Sequence, residues 1–351
     1  MLKSRLCIAF FAFAVGCAPA QKPLTDYVNP MLGTATLWDS VDLGFKPTKR
    51  TWGAEVFPGS SLPNAMVQVS PVTKFHSGAG YQYEDSVIYG FTHTNKGHWN
   101  LCHIPLLPVT GTPTPGDYCS PFSHERESAA PGYYQVFLDR YGVDAQLSST
   151  LRCAFHKYTY PAGAAPAVLA DLQRSNEHVR AWDIRKEGDN VFAGWQQTGE
   201  KMYFYAVANR PVTGIEPVVE GDREVRIVRF GEGDGALELR IGFSFVSEEN
   251  ARKNLEAEML GRSFADVRSE ATAVWNDLLG RIRVEGGTER EKGLFYSCLY
   301  RSFLWPALRS DVNGEFTDAD GEVVNTGFRY YTGPSYWDDY RNKLILLGLL
   351  A

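Results

Sequence analysis

The sequence predicts a mainly β N-terminal sandwich followed by helices, and three observations carry that fold class. From about Gln21 to Val246 nearly every structured run is short, β-branched or aromatic, and bounded by Gly, Pro, Asn or Asp. At Ser247 the apolar period changes to that of a helix. The last stretch, from Ser335 into Lys343-Leu344-Ile345-Leu346-Leu347-Gly348-Leu349-Leu350-Ala351, is a helix opening with no stop signal after it. A helix this apolar needs neighbours on nearly every side, so the chain is read as the front part of a larger protein.

The strand runs follow one another in order. They are Met66-Val67-Gln68-Val69, Val87 to Phe91, Tyr133 to Leu138, Val143 to Ser148, Leu151 to Tyr160, Val168 to Asp171, Met202 to Ala208 and Leu237 to Phe245. Their spacing means a sandwich of about ten or more strands. Ser247-Glu248-Glu249 then opens a polar helix to about Leu260, and Ser263 opens a second. In the second, Phe264, Val267, Ala271, Val274, Trp275, Leu278 and Leu279 recur at helical spacing. Both are expected to form a linker packed on the sandwich edge. Thr288-Glu289-Arg290-Glu291 is a capping box, so a third helix is expected through Phe303, ending by Pro306. Asn313-Gly314 and Asp320-Gly321 mark tight turns of a small hairpin. The boundaries expected are residues 1–20, 21–246, 247–287 and 288–351.

The first twenty residues carry Lys3 and Arg5, an apolar run from Leu6 to Val15, and then small residues. That is a secretory signal, too short to span a membrane. Ala18-Pro19-Ala20 fits ordinary cleavage before Gln21, whereas Ala14-Val15-Gly16-Cys17 resembles a bacterial lipobox that would leave a lipid anchor on Cys17. Loss of Lys3 and Arg5 takes the formal charge from −6 to −8, since residues 1–20 hold no acid. An acidic chain without a basic run argues against nucleic acid and anionic membrane surfaces as partners. Cys102, Cys119, Cys153 and Cys298 match no zinc spacing; export permits disulfides, and the core is the commoner place for such thiols.

Two segments could carry chemistry. In Gly90-Phe91-Thr92-His93-Thr94-Asn95-Lys96-Gly97-His98-Trp99-Asn100-Leu101-Cys102-His103, three histidines and a tryptophan leave a strand through a loop. Five-residue steps put His93, His98 and His103 on no common face for zinc. They read either as loop histidines bonded to backbone or as a sugar site, with Trp99 as a flat apolar face and His98 and Asn100 as donors. In Trp337-Asp338-Asp339, Ser335 as N-cap and Asp338 three residues on form a capping box. A Trp beside a carboxylate at a helix mouth also suits a sugar, and the two readings are compatible. Asp311-Val312-Asn313-Gly314-Glu315 with Asp318 and Asp320 fails the spacing of a calcium loop and is read as hairpin turns.

Several stretches in register resemble one family. Tyr27-Val28-Asn29-Pro30-Met31-Leu32-Gly33-Thr34 resembles the opening of glycoside hydrolase family 92, the calcium-dependent exo-acting α-mannosidases. Phe57-Pro58-Gly59-Ser60-Ser61-Leu62-Pro63, Met66 to Pro71, Tyr89-Gly90-Phe91-Thr92-His93-Thr94, Pro131-Gly132-Tyr133-Tyr134 and Phe155 to Pro161 continue it, as do Leu299-Tyr300, Ser310 to Gly314 and Trp337-Asp338. After His93 the sequence departs from the family pattern.

The resemblance implies an N-terminal β-sandwich, a helical linker and the first helices of a truncated (α/α)6 barrel. It implies that the Pro30 carbonyl joins a calcium shell, that Trp337 and Asp338 line the terminal mannose subsite, and that Trp99 falls near the sandwich-loop aromatic that contacts the leaving sugar. Inverting hydrolysis needs one carboxyl to protonate the leaving oxygen and another to activate water. The resemblance puts both beyond Ala351, so no catalytic residue is expected in this chain, which alone should be inactive. The implied partners are mannose-containing glycans, and the implied place is the periplasm or outer membrane of a bacterium. Two other readings compete: a carbohydrate-binding sandwich module using Trp99, and a truncated gene product without function.

Overall fold

A computed structural model of the chain describes residues 22–36, 44, 56–96, 99–332 and 339–350, with residues 95, 96, 99 and 100 described by backbone alone. Among the described residues two large sheets are formed. The seven-stranded sheet runs Ser60–Ser61, Gln68–Val72, Gly90–Thr92, Leu106–Val109, Ala167–Ala170, Arg223–Phe230 and Val212–Glu220 in spatial order. The eight-stranded sheet runs Ala181–Gly188, Val191–Gln197, Lys201–Ala208, Leu237–Ser244, Cys153–Thr159, Val143–Ser149, Tyr133–Leu138 and Glu127–Ala130. Neighbours pair antiparallel, as in Tyr134 against Leu147 and Val168 against Val228.

Alternation decides which side chains enter the core. Along Lys201–Ala208, Met202, Phe204, Ala206 and Ala208 are buried while Lys201, Tyr203, Tyr205 and Val207 are not, the period-two pattern of a strand with one face inward. One continuous core joins Val69, Phe91, Leu107 and Ile227 of the first sheet to Val136, Leu147, Phe204 and Ile241 of the second. The two sheets are therefore faces of one sandwich.

Among the described residues four helices follow: α1 (Glu248–Glu258), α2 (Phe264–Leu279), α3 (Glu289–Ser302) and α4 (Lys343–Leu350). Ser247 caps α1, its hydroxyl accepting from the Asn250 N–H at 3.1 Å. Capping boxes open α2 at Ser263 and Asp266 and α3 at Thr288 and Glu291. The expected edge position of α1 is corrected by the structure. Leu255 and Met259 pack with Cys153 and Phe155 on the outward face of the eight-stranded sheet, together with Phe264 and Val267 from α2. A sheet face offers far more apolar area than an edge, and Gly242 lets the helix approach it. A Cβ on Gly242 would lie 2.2 Å from the Ala251 carbonyl oxygen.

A second core joins α2 and α3 to the N-terminal segment, with Trp275, Leu279, Tyr296 and Tyr300 against Val28, Phe57 and Leu62. The Trp275 indole N–H donates to the Ser61 carbonyl at 2.7 Å, fixing α2 on the first strand. Phe316–Thr317 pairs with Val323–Val324, with Gly321 N–H donating to Asp318 O, which is the small hairpin expected there.

Candidate functional site

Pro30 lies in the turn after the first 3-10 helix, where the second core brings the N-terminal segment onto α3. Its carbonyl accepts from Arg301 Nη2 at 2.7 Å, and the same nitrogen reaches the Leu32 carbonyl at 2.6 Å. Burial lowers the Arg301 guanidinium to about 10, and its Nη1 is buried without a partner among the described residues. Calcium takes six to eight oxygen ligands. The carbonyl proposed for it faces a fixed cation instead, and no group of three His, Cys, Asp or Glu is gathered among the described residues. Sequence reasoning missed Arg301. The available signal was an arginine in the last turn of a helix with only Ser297, Cys298, Leu304 and Trp305 at helical spacing, none of them acidic.

The candidate sugar residues fall mostly elsewhere. His98, Trp337 and Asp338 lie outside the described residues, as do residues 1–20 with Cys17. Trp99–Asn100 forms a short ribbon with Asn95–Lys96, pairing Trp99 with Lys96. The chain after it is tied down at Leu101, whose carbonyl accepts from Ser175 Oγ at 2.5 Å and Asn176 N at 3.1 Å.

His93 and His103, read from sequence as loop histidines bonded to backbone or as part of a sugar site, are both fully buried. His93 Nε2 meets His156 Nε2 at 3.0 Å in the sandwich core, and His156 Nδ1 meets the Tyr158 hydroxyl at 2.5 Å. One ring must donate and the other accept, so the pair carries a single shared proton between neutral imidazoles. Burial depresses His93 to about 3 and His156 well below the usual histidine range. His103 lies between Thr94 Oγ1 at 2.7 Å and Thr198 Oγ1 at 2.9 Å, and burial holds it at about 4. These are structural histidines. Cys102 and Cys153 lie in the core, Cys119 is half-buried and Cys298 is exposed, and none of the four forms a disulfide among the described residues.

Three buried carboxylates are held inside the fold. Glu127 accepts from the hydroxyls of Tyr81 at 3.0 Å and Tyr134 at 2.5 Å and meets His124 Nδ1 at 2.6 Å. Asp171 accepts from the Tyr118 hydroxyl at 2.6 Å, and desolvation raises it above the usual carboxylate range. Asp311 accepts from Ser244 Oγ at 2.6 Å and from the amides of Asn250 and Asn254 at 2.8 and 2.7 Å. Glu127 and Asp311 are enclosed by donors, which suits architecture, whereas Asp171 Oδ1, and Oδ2 of a further buried carboxylate, Asp339, have no hydrogen-bond partner among the described residues.

The sandwich-plus-helix architecture has close counterparts among glycosidases. An α-mannosidase of family 92 from Bacteroides thetaiotaomicron, also solved with mannoimidazole, superposes with a TM-score of 0.81 at 26% identity over 91% of this chain and 46% of its own. An inverting mannosidase of that family from the same organism gives 0.76 at 25% identity, over 93% of this chain and 46% of its own. An uncharacterised secreted glycosidase of Arthroderma benhamiae is 25% identical over 82% of this chain and 42% of its own. Residues 27–252 match the glycosyl hydrolase family 92 N-terminal domain, and residues 250–351 match the family's catalytic domain. The chain belongs to glycosyl hydrolase family 92. It spans about half the length of these relatives.

Proposed function

We propose that this chain is the sandwich-bearing front portion of an exported glycoside hydrolase that removes terminal α-mannose from glycans with inversion. The observation that carries the reading is the unbroken match through both family models, supported by superposition on an α-mannosidase over nine-tenths of the chain. Trp337 and Asp338 would line the terminal mannose subsite, with Trp99 and His98 toward the leaving sugar. Helices α3 and α4 would begin an (α/α)6 barrel. Calcium belongs to this proposal only for the whole enzyme, with ligands outside the described residues and the Pro30 carbonyl held by Arg301. Export rests on residues 1–20 and on the secreted relative, and the lipid anchor on Cys17.

By itself the chain would not hydrolyse on this reading, because the family resemblance places the general acid and general base in later parts of the catalytic domain. The test is mannose release from α-mannobiose by the 351-residue chain and by the full reading frame of its source, with proton NMR reading the anomer first formed. The full protein should release β-mannose, and chelation should abolish it. Release of a different sugar sinks the mannose assignment, and hydrolysis by the short chain at a comparable rate sinks its inactivity.

A further inference from the structure

We propose that an open cleft of about 590 Å³ beside the first strand of the eight-stranded sheet binds an acidic saccharide, one whose ring carries a carboxylate. The cleft is lined by His76, Arg174, Glu177, His178, Arg180 and Trp182. Its charge is opposite to that of the chain, whose formal net charge is −6. Arg180, His76 and His178 line it beside one carboxylate, Glu177, which is engaged by Thr198 Oγ1 at 2.6 Å and by the Gly199 N–H at 3.3 Å, while the Arg174 guanidinium is turned to Phe75, Tyr89 and the Tyr118–Asp171 pair. Ion pairs hold most arginines of the sandwich, as Arg185 with Glu248 and Arg229 with Glu216. Arg180 forms no ion pair among the described residues and stands exposed in the cleft.

The walls are built rather than incidental. Arg174 is fixed over the rings of Phe75 at 4.1 Å and Tyr89 at 4.9 Å and donates to the Tyr118 hydroxyl at 3.2 Å. His76, at φ +60°, is held by its N–H donating to Asn176 Oδ1 at 2.6 Å. Trp182 packs partly against the sandwich core, with the Arg226 guanidinium 5.3 Å from its ring centroid, and its remaining surface lines the cleft. A guanidinium fork suits a carboxylate, an indole suits the C–H face of a pyranose, and imidazole N–H groups suit ring hydroxyls. That combination favours an acidic sugar over a neutral one, which would leave the cations unmatched. It also favours the sugar over a bare anion, which would leave the indole unused. The site does not depend on the proposed hydrolysis.

Calorimetry of the 351-residue chain with trigalacturonate, maltotriose, triglutamate and inorganic phosphate tests it. Trigalacturonate should bind saturably, and the other three should neither bind comparably nor displace it. Arg180→Gln should weaken trigalacturonate about tenfold or more, as expected for one charge-assisted hydrogen bond, with an unchanged melting temperature. Absence of saturable heat with trigalacturonate overturns the site. Equal binding of maltotriose, triglutamate or phosphate overturns the ligand class, and unaltered affinity in Arg180→Gln overturns the placement.

Discussion

Arg301 ties α3 to the turn at Pro30, its Nη2 donating to the Pro30 carbonyl at 2.7 Å across a sequence separation of 271 residues. The bond to Leu32 from the same atom makes this side chain the fastener between the N-terminal segment and the third helix. Arg301→Met would keep most of the apolar stem but leave both carbonyls without this donor. A loss of about 1–3 kcal/mol is expected from the one buried acceptor left unsatisfied, at Pro30, since Leu32 is exposed and water can replace its donor. Arg301→Lys, with a single ammonium, should recover part of it. Urea unfolding of the three proteins checks this, and equal midpoints would remove Arg301 from its fastening role.

Gly242 sets how closely α1 lies on the eight-stranded sheet. Its missing Cβ would stand 2.2 Å from the Ala251 carbonyl oxygen and 2.8 Å from the Leu255 side chain. Gly242→Ala must therefore push α1 off the outer face, at a cost of about 1–3 kcal/mol or more. Gly214→Ala is the control, since nothing lies within 4 Å of the added methyl there. If denaturant midpoints shift alike for both, close helix approach is not what Gly242 provides.

The buried imidazoles give the sandwich an acid-sensitive core. His93 is depressed to about 3 and His103 to about 4, while an unfolded histidine titrates near 6.5. Between those values the unfolded chain binds protons that the folded chain refuses. Stability therefore falls as pH drops through 6.5, and continues to fall until the folded-state values are reached. Each group contributes a slope of up to about 1.4 kcal/mol per pH unit. Melting temperatures from pH 7.5 to 5 should decline, and His103→Asn should decline less steeply. A flat profile across that range would count against neutral burial of these rings.

Much of the sandwich was legible because its inward faces alternate. Lys201–Ala208 could be placed by eye, since Met202, Phe204 and Ala206 stand between polar or aromatic outward residues. Arg223–Phe230 and Val212–Glu220 were not, because their outward positions carry charges that pair across strands or along one, as Arg229 with Glu216 and Arg226 with Glu224. Such pairs make a half-buried strand read as a solvated loop. Helix starts at Ser247, Ser263 and Thr288 were legible because a cap is a local contact. The Arg301 fastening was not, since its partners are backbone carbonyls far away in the chain, and carbonyls carry no sequence signature. Nor could the chain order of His93 and His156 show that the packing of one sheet on the other sets them ring to ring.

The hairpin after α3 depends on one carboxylate. Asp311 receives the Ser244 hydroxyl at 2.6 Å from a sheet strand and the Asn250 and Asn254 amides from α1, so it joins three elements at one buried point. Desolvation raises its carboxyl above the usual range, and the hydrogen bonds act against that rise. Asp311→Asn would turn one oxygen into an NH2 that faces a donor already present, Asn250 or Asn254. Asp311→Ala would remove the acceptors altogether but open space. Because donor against donor cannot relax in a packed site, Asp311→Asn should destabilise by about 2–4 kcal/mol despite its similar shape. Hydrogen exchange should show lost protection in α1 and in Phe316–Thr317 together, since both hang on this residue. Loss confined to the hairpin, with α1 as protected as before, would mean that the Asn250 and Asn254 contacts contribute nothing to holding α1.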